Sequence, residues 1–346
     1  MMKLPRLVWV VVLLTVVLGL PRFGRLTPDS RHYIAVAKYF RGAVARETLP
    51  RSFASRPLVP FLAARLPPAN LDFNFAVTNI AATVLAYLLF IPYLKRFVTS
   101  STELNVGMLM LVVSIPTPNY GSSVLSDPVG FLFLVIAVSF LLNEQYLRMT
   151  VAISLGVLAR ESLLTVALAS VIDLVLGAWG REANRWKRVW AILPLVSIPP
   201  IAVVLGVRAY YSDLPASFWW TPSLQGFIRN ISQPKLGWIT FLLTLGPPLL
   251  LCVAGFRESG MRRLKAFGER EARFLLSLAA VGVAYIIYSN IIRTAYMSGR
   301  FVWPFYTALI PIAVRMGNGT TLFTRWLGPL SDRLFGGARS GDSSGV

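Results

Sequence analysis

The sequence predicts an all-α, polytopic membrane protein, and three observations carry that prediction. Of its 346 residues, 55% are hydrophobic and only 14% are charged, where soluble domains carry about 25% charged residues. The apolar residues gather into runs approaching the ~20 residues that a bilayer-crossing helix needs. The Lys and Arg residues behind the net charge of +19 lie mainly between those runs, where they suit anionic membrane lipids. That placement does not fit nucleic acid, which calls for a basic face on a soluble domain.

Taken in order, the chain starts like a signal peptide, with Lys3 and Arg6 ahead of an apolar stretch from Leu7. Gly19-Leu20-Pro21-Arg22 offers no small-x-small cleavage site, so an uncleaved first span is expected. Apolar spans are expected near 5–21, 74–94, 104–117, 129–147, 149–159, 162–179, 189–207, 237–256, 274–292 and 301–316. The short connections rich in Lys and Arg are 180–188 and 257–273, which belong on the cytoplasmic side. Lys3, Arg6, Lys95, Arg96, Arg148 and the tail share that side only if 149–179 crosses twice, turning at Arg160-Glu161. The result is about ten transmembrane helices with both termini cytoplasmic. Residues 1–316 form the transmembrane domain and 317–346 a cytoplasmic tail, Gly- and Ser-rich and disordered from Gly336. Outer segments are then 22–73, 118–128, Arg160-Glu161, 208–236 and 293–300.

The first outer loop, 22–73, carries nine Lys or Arg, against the charge rule, which weakens in long loops. On a helical wheel Tyr33, Val36, Ala37, Phe40 and Val44 share one face, and Arg31, Lys38 and Arg41 another. That pattern predicts an amphipathic helix in the headgroup plane, either a plain anchor or a basic wall for a lipid phosphate. The one Cys, Cys252, lies in an apolar run and reads as a packing residue. With a single His, any metal would take oxygen ligands, hence Mg²⁺ or Mn²⁺. No pattern fixes an oligomeric state.

Chemistry is confined to charged residues at span ends on the expected outer side: Asp29, Asp127, Arg160, Glu161, Arg293 and Arg300. Thr27-Pro28-Asp29 has a complete structural account as a helix start, with the acid favoured by the helix dipole. Asp127, in Ser126-Asp127-Pro128, could cap the next helix in the same way. Two acids on one face could equally position a hydroxyl nucleophile or share a metal. Arg160-Glu161 reads as a snorkelling pair or as a phosphate-binding Arg. Arg300 reads as an interface anchor beside Trp303. Asp173 falls inside a span and should find a partner in the bundle.

Four stretches together resemble the GT-C superfamily of integral-membrane glycosyltransferases, which use polyprenyl-phosphate-linked sugars. They are Pro28-Asp29-Ser30-Arg31-His32-Tyr33, Ser55-Arg56-Pro57-Leu58-Val59-Pro60, Ala159-Arg160-Glu161-Ser162, and Gly299-Arg300-Phe301 through Pro311. The resemblance implies a general base at Asp29 and donor binding by Arg31, Lys38, Arg56, Arg160, Glu161 and Arg300. Asp127 would orient the acceptor or a divalent ion. Many relatives have two adjacent acids where this chain has Asp29-Ser30, which leaves a non-catalytic subunit of the same architecture as one alternative. A transporter or lipid-carrier flippase using Asp173 and Arg160-Glu161 is another. Many members also carry a soluble C-terminal domain. None is expected here, so acceptor recognition would rest on 208–236, with Trp219 and Trp220.

Overall fold

The computed structural model describes residues 4–67, 70–179, 183–215, 236–259, 267–292 and 298–335, with Ile228, Ser232, Arg262 and Arg263 as further positions. Trp219, Trp220, Arg293 and the tail from Gly336 lie outside the described residues. Among the described residues the protein is helical and has no strand. Six helical stretches are long and apolar enough to cross a membrane: Pro5–Arg22, Leu71–Leu94, Glu161–Ala178, Asn184–Tyr210, Gly237–Glu258 and Glu269–Ser289. The chain is therefore an all-α integral membrane protein.

The long helices are α1 (Leu4–Gly19), α5 (Leu71–Leu94), α10 (Leu164–Ala178), α11 (Ala183–Tyr210), α12 (Leu236–Ser259) and α13 (Glu269–Ile286). Four other expected spans correspond to shorter helices: α6 (Ser101–Val112), α8 (Asp127–Leu142), α9 (Tyr146–Gly156) and α14 (Tyr306–Gly317). At 1.5 Å per residue even the 16 residues of α8 reach only about 24 Å, short of a ~30 Å hydrocarbon layer. The runs looked longer in sequence because the turns between them are apolar too. Local chemistry sets the boundaries. Ser100 and Glu103 form a capping box at the start of α6. Asn143-Glu144-Gln145 turns α8 into α9, with Glu144 at φ 56°. Gly156 ends α9 where a Cβ would overlap the Leu163 side chain.

Asp127 at the start of α8 meets Arg160 just beyond α9, so the two helices are antiparallel, and α10 turns back again from Arg160-Glu161. The 149–179 region is thus two helices that turn at Arg160-Glu161. α8 packs between α5 and α9, α11 lies on α9 and α10, and α13 lies on α10. α14 packs against α6 and α12.

The first loop folds into α2 (Ser30–Phe40), α3 (Arg51–Ala54) and α4 (Leu58–Arg65). Tyr33, Val36 and Ala37 are fully buried, in a core shared with Phe53, Phe75, Val124, Leu125 and Ala159. This corrects the expectation of a helix laid on lipid: the inner part of its apolar face is covered by protein. An apolar stripe at helical spacing has the same form whether a bilayer or a core covers it.

Hydrogen bonds and ion pairs define two ends of the bundle. At one, the Gly24 N–H donates to the Ser122 carbonyl at 3.1 Å and the Leu58 N–H to the Leu158 carbonyl at 3.1 Å. At the other, Glu144 pairs with Arg188 and Arg270, and Asp173 with Arg273. Segments expected to share a side lie at one end.

Candidate active site

The first end gathers charged side chains from four distant segments. Asp29 occupies the N-cap position of α2, yet its side chain makes no capping hydrogen bond. Instead Arg300 Nη1 donates to Asp29 Oδ2 at 3.0 Å. The same guanidinium donates from Nε to Asp127 Oδ1 at 2.6 Å, and Arg160 Nη1 also pairs with Asp127 Oδ1. One arginine thus bridges the two acids, and a second arginine shares the inner one. Burial is graded: the Asp127 side chain is 3% exposed and that of Asp29 39%.

Backbone chemistry explains the convergence. Ser30, beside Asp29, is fully buried and donates to the Val124 carbonyl at 2.8 Å. This ties the start of α2 to the segment that leads into Asp127. Gly130, one turn beyond Asp127, leaves room for the Arg160 stem, since a Cβ there would lie 3.0 Å from Arg160 Cβ. Gly299 packs so closely on α12 that a Cβ would overlap Thr244 Oγ1 and lie 2.5 Å from the Thr240 carbonyl oxygen. That contact holds Arg300 in place.

A second layer surrounds the cluster. Arg56 Nη1 reaches Tyr33 Oη at 3.4 Å, and Tyr33 Oη lies 2.9 Å from Ser126 Oγ. Arg56 Nη2 lies 3.8 Å from Glu161 Oε2, while Arg208 donates to Glu161 Oε1 from Nε at 3.1 Å and Nη2 at 3.0 Å. Tyr285 lies close to Arg160, whose guanidinium carbon sits 5.7 Å from the Phe301 ring centre. Tyr33, Ser126, Arg208 and Tyr285 were not expected as site residues from sequence. Only Arg208 left a signal there, as a lone charge at the end of an apolar run.

Of the expected site residues, Asp29, Asp127, Arg56, Arg160, Glu161 and Arg300 are thus brought together. Arg31 and Lys38 are exposed and make no ion pair among the described residues. Asp173, expected to find a partner inside the bundle, accepts from Arg273 Nε at 2.9 Å, away from this cluster.

Burial opposes ionisation of Asp29, but the charge and hydrogen bond of Arg300, with Arg56 and Arg160 beyond, outweigh it. Its carboxyl is held below the ordinary carboxylate range and is ionised at neutral pH. As arranged here, the two carboxylates hold a guanidinium where Mg²⁺ or Mn²⁺ would sit. A guanidinium bridges the two carboxylates and would repel a dication, and no group of three acidic, His or Cys side chains suited to a metal occurs among the described residues. The arrangement can instead receive an anion on guanidinium groups and a proton on Asp29.

Fold and site together define a helical integral membrane protein with an acid–arginine cluster at one end of its bundle. Over 219 residues the chain is 28% identical to the undecaprenyl phosphate-alpha-4-amino-4-deoxy-L-arabinose arabinosyl transferase of Edwardsiella ictaluri (strain 93-146). The match covers 57% of this chain but only 39% of that relative. It agrees with the GT-C resemblance read from the motifs. No family model matches the chain, and no solved structure does.

Proposed function

We propose that this protein is a membrane glycosyltransferase that moves a sugar from a polyprenyl-phosphate donor to an acceptor hydroxyl or amide at the outer face of the membrane. Both termini lie in the cytoplasm, as the charge count of the connections suggests. The observation that carries the reading is Arg300 bridging Asp29 and Asp127, with Arg160 on the same inner acid.

Asp29 takes the proton of the acceptor, and the acceptor atom attacks the anomeric carbon. The bond from that carbon to the phosphate oxygen breaks, and its electron pair leaves with the polyprenyl phosphate. Arg300 and Arg160 stabilise the charge developing on that oxygen. Asp127, buried and shared, holds both guanidiniums in register. Arg56, with Tyr33 and Glu161 as partners, supports the phosphate at headgroup depth.

The test is purified protein supplied with lipid-linked sugar and acceptor. Asp29→Asn should lower transfer by about 10²-fold or more while leaving donor binding measurable. Full transfer by that variant removes Asp29 from the role of base.

A further inference from the structure

The opposite end of the bundle carries a second charged cluster that the transfer chemistry does not use. Glu144, in the turn between α8 and α9, adopts a left-handed backbone at φ 56°, a conformation that favours Gly or Asn. Its carboxylate accepts from Arg188 Nη2 at 2.5 Å, and Arg270 Nη2 lies 3.3 Å from it. Arg270 also donates to the Leu142 carbonyl at 2.5 Å. Arg273, one turn further along α13, pairs with Asp173 of α10, and Gly177 leaves room for its guanidinium. Arg185 donates to the Gly177 carbonyl at 3.4 Å. Three guanidiniums from α11 and α13 therefore converge on two carboxylates, and Arg185 adds a fourth beside them on the Gly177 carbonyl. The further acids at the start of α13 are Glu269, which is exposed, and Glu271, which folds back over Gly268 at its own helix start.

Burial disfavours the charged form of Glu144, yet the hydrogen bond from Arg188 and the charges of Arg270, Arg188 and Arg273 hold its carboxyl below the ordinary range. The cluster is also bordered by lipid-type surface. Trp179 and Trp190 are 72% and 66% exposed, as aromatic residues at a membrane interface are. Leu147 and Val151 of α9 and Leu176 of α10 are exposed along the bundle side.

We propose that this end binds the phosphate of an anionic phospholipid, seated among Arg185, Arg188, Arg270 and Arg273 with its acyl chains along α9, α10 and α11. Among the ion-paired groups three guanidiniums face two carboxylates, and Arg185, held only by a carbonyl, adds the positive charge that complements a phosphate. The exposed apolar side chains favour a lipid over a free anion. This site is independent of the glycosyltransferase reading.

The test uses the full chain in nanodiscs of phosphatidylcholine, with or without phosphatidylglycerol, and a third arm of phosphatidylcholine with millimolar inorganic phosphate. Lipid retained by the protein is read by native mass spectrometry, and unfolding by a thermal shift. The wild type should retain phosphatidylglycerol selectively and melt higher in its presence. Arg185→Gln removes an exposed side chain that touches a carbonyl, and it should weaken retention about fivefold. Arg185→Gln with Arg188→Gln should weaken it about 25-fold. Equal retention of both lipids, or undiminished retention by Arg185→Gln, overturns the proposal. So does a full thermal shift from inorganic phosphate alone, which would mark a free-phosphate site.

Discussion

Replacing each acid of the cluster by its amide should separate two residues that look alike in sequence. Asp127 is 3% exposed and is the shared acceptor of Arg160 and Arg300, themselves 10% and 17% exposed. Asp127→Asn leaves two buried guanidiniums without their common anion. Removing one partner of a buried pair costs about 3–5 kcal/mol, and because the amide oxygen still accepts a hydrogen bond, about 3 kcal/mol is expected. Asp29 is 39% exposed and meets Arg300 alone, which keeps Asp127 when Asp29 changes. Solvent screens that outer pair, so Asp29→Asn should cost about 0–1 kcal/mol. The assay is reversible unfolding in mixed micelles, run beside the transfer assay on the same preparations. Both variants should lose transfer, but only Asp127→Asn should lose stability. An Asp127→Asn protein as stable as wild type, or an Asp29→Asn protein destabilised by about 3 kcal/mol, refutes the assigned division of labour.

Three further outcomes follow from the same geometry. Arg300 is the strongest influence lowering the Asp29 carboxyl, and transfer needs that carboxyl ionised, so activity is present above its pKa and lost as pH falls through it. Arg300→Gln should therefore move the acid limb of the pH–rate profile to higher pH, and an unmoved limb would count against Asp29 as the base. Gly299→Ala puts a Cβ into Thr240 and Thr244 of α12. It should displace Arg300 and lower transfer at least about tenfold with near-normal yield of folded protein; a wild-type rate would contradict the role given to that contact. Ser30→Asp restores the second acid of the resembling motif, but it replaces a buried donor to the Val124 carbonyl with a group that cannot donate. It should destabilise the protein by about 2 kcal/mol or more without raising transfer, as unfolding and rate measurements would report.

The helical membrane class was legible because composition and run length are summed over many residues. Span length was less so: the turn at 143–145 and the breaks around 113–116 and 157–163 shorten helices whose flanking residues remain apolar. Local pattern also misassigned side chains. Thr27-Pro28-Asp29 is a good helix start, and the backbone does place Asp29 at the N-cap, but the carboxylate turns to an arginine 271 residues away. No local signal reports a partner at that distance. Arg160 and Glu161 could be placed at a turn by the cost of a mid-bilayer charge, yet the same argument could not tell a snorkelling pair from Arg160 buried to 9% exposure against Asp127. Tyr33 shows the same ambiguity within one residue. Its ring contributes to the apolar stripe, and its hydroxyl joins the polar cluster.

Charge accounting explains why such a cluster sits where helices end. Arg56, Arg160 and Arg300 are balanced by Asp29, Asp127 and Glu161, and Arg208, 53% exposed, is the fourth cation on that network. Three carboxylates against four guanidiniums leave one positive charge, which matches a phosphodiester of charge −1. On the proposed reading, a donor phosphate that engages Arg300 competes with Asp29 for the same guanidinium. As the phosphate takes that charge, the Asp29 carboxyl loses the influence that lowers it and becomes a stronger base. Proton abstraction is then favoured when the donor is in place, and the resting protein keeps Asp29 ion-paired.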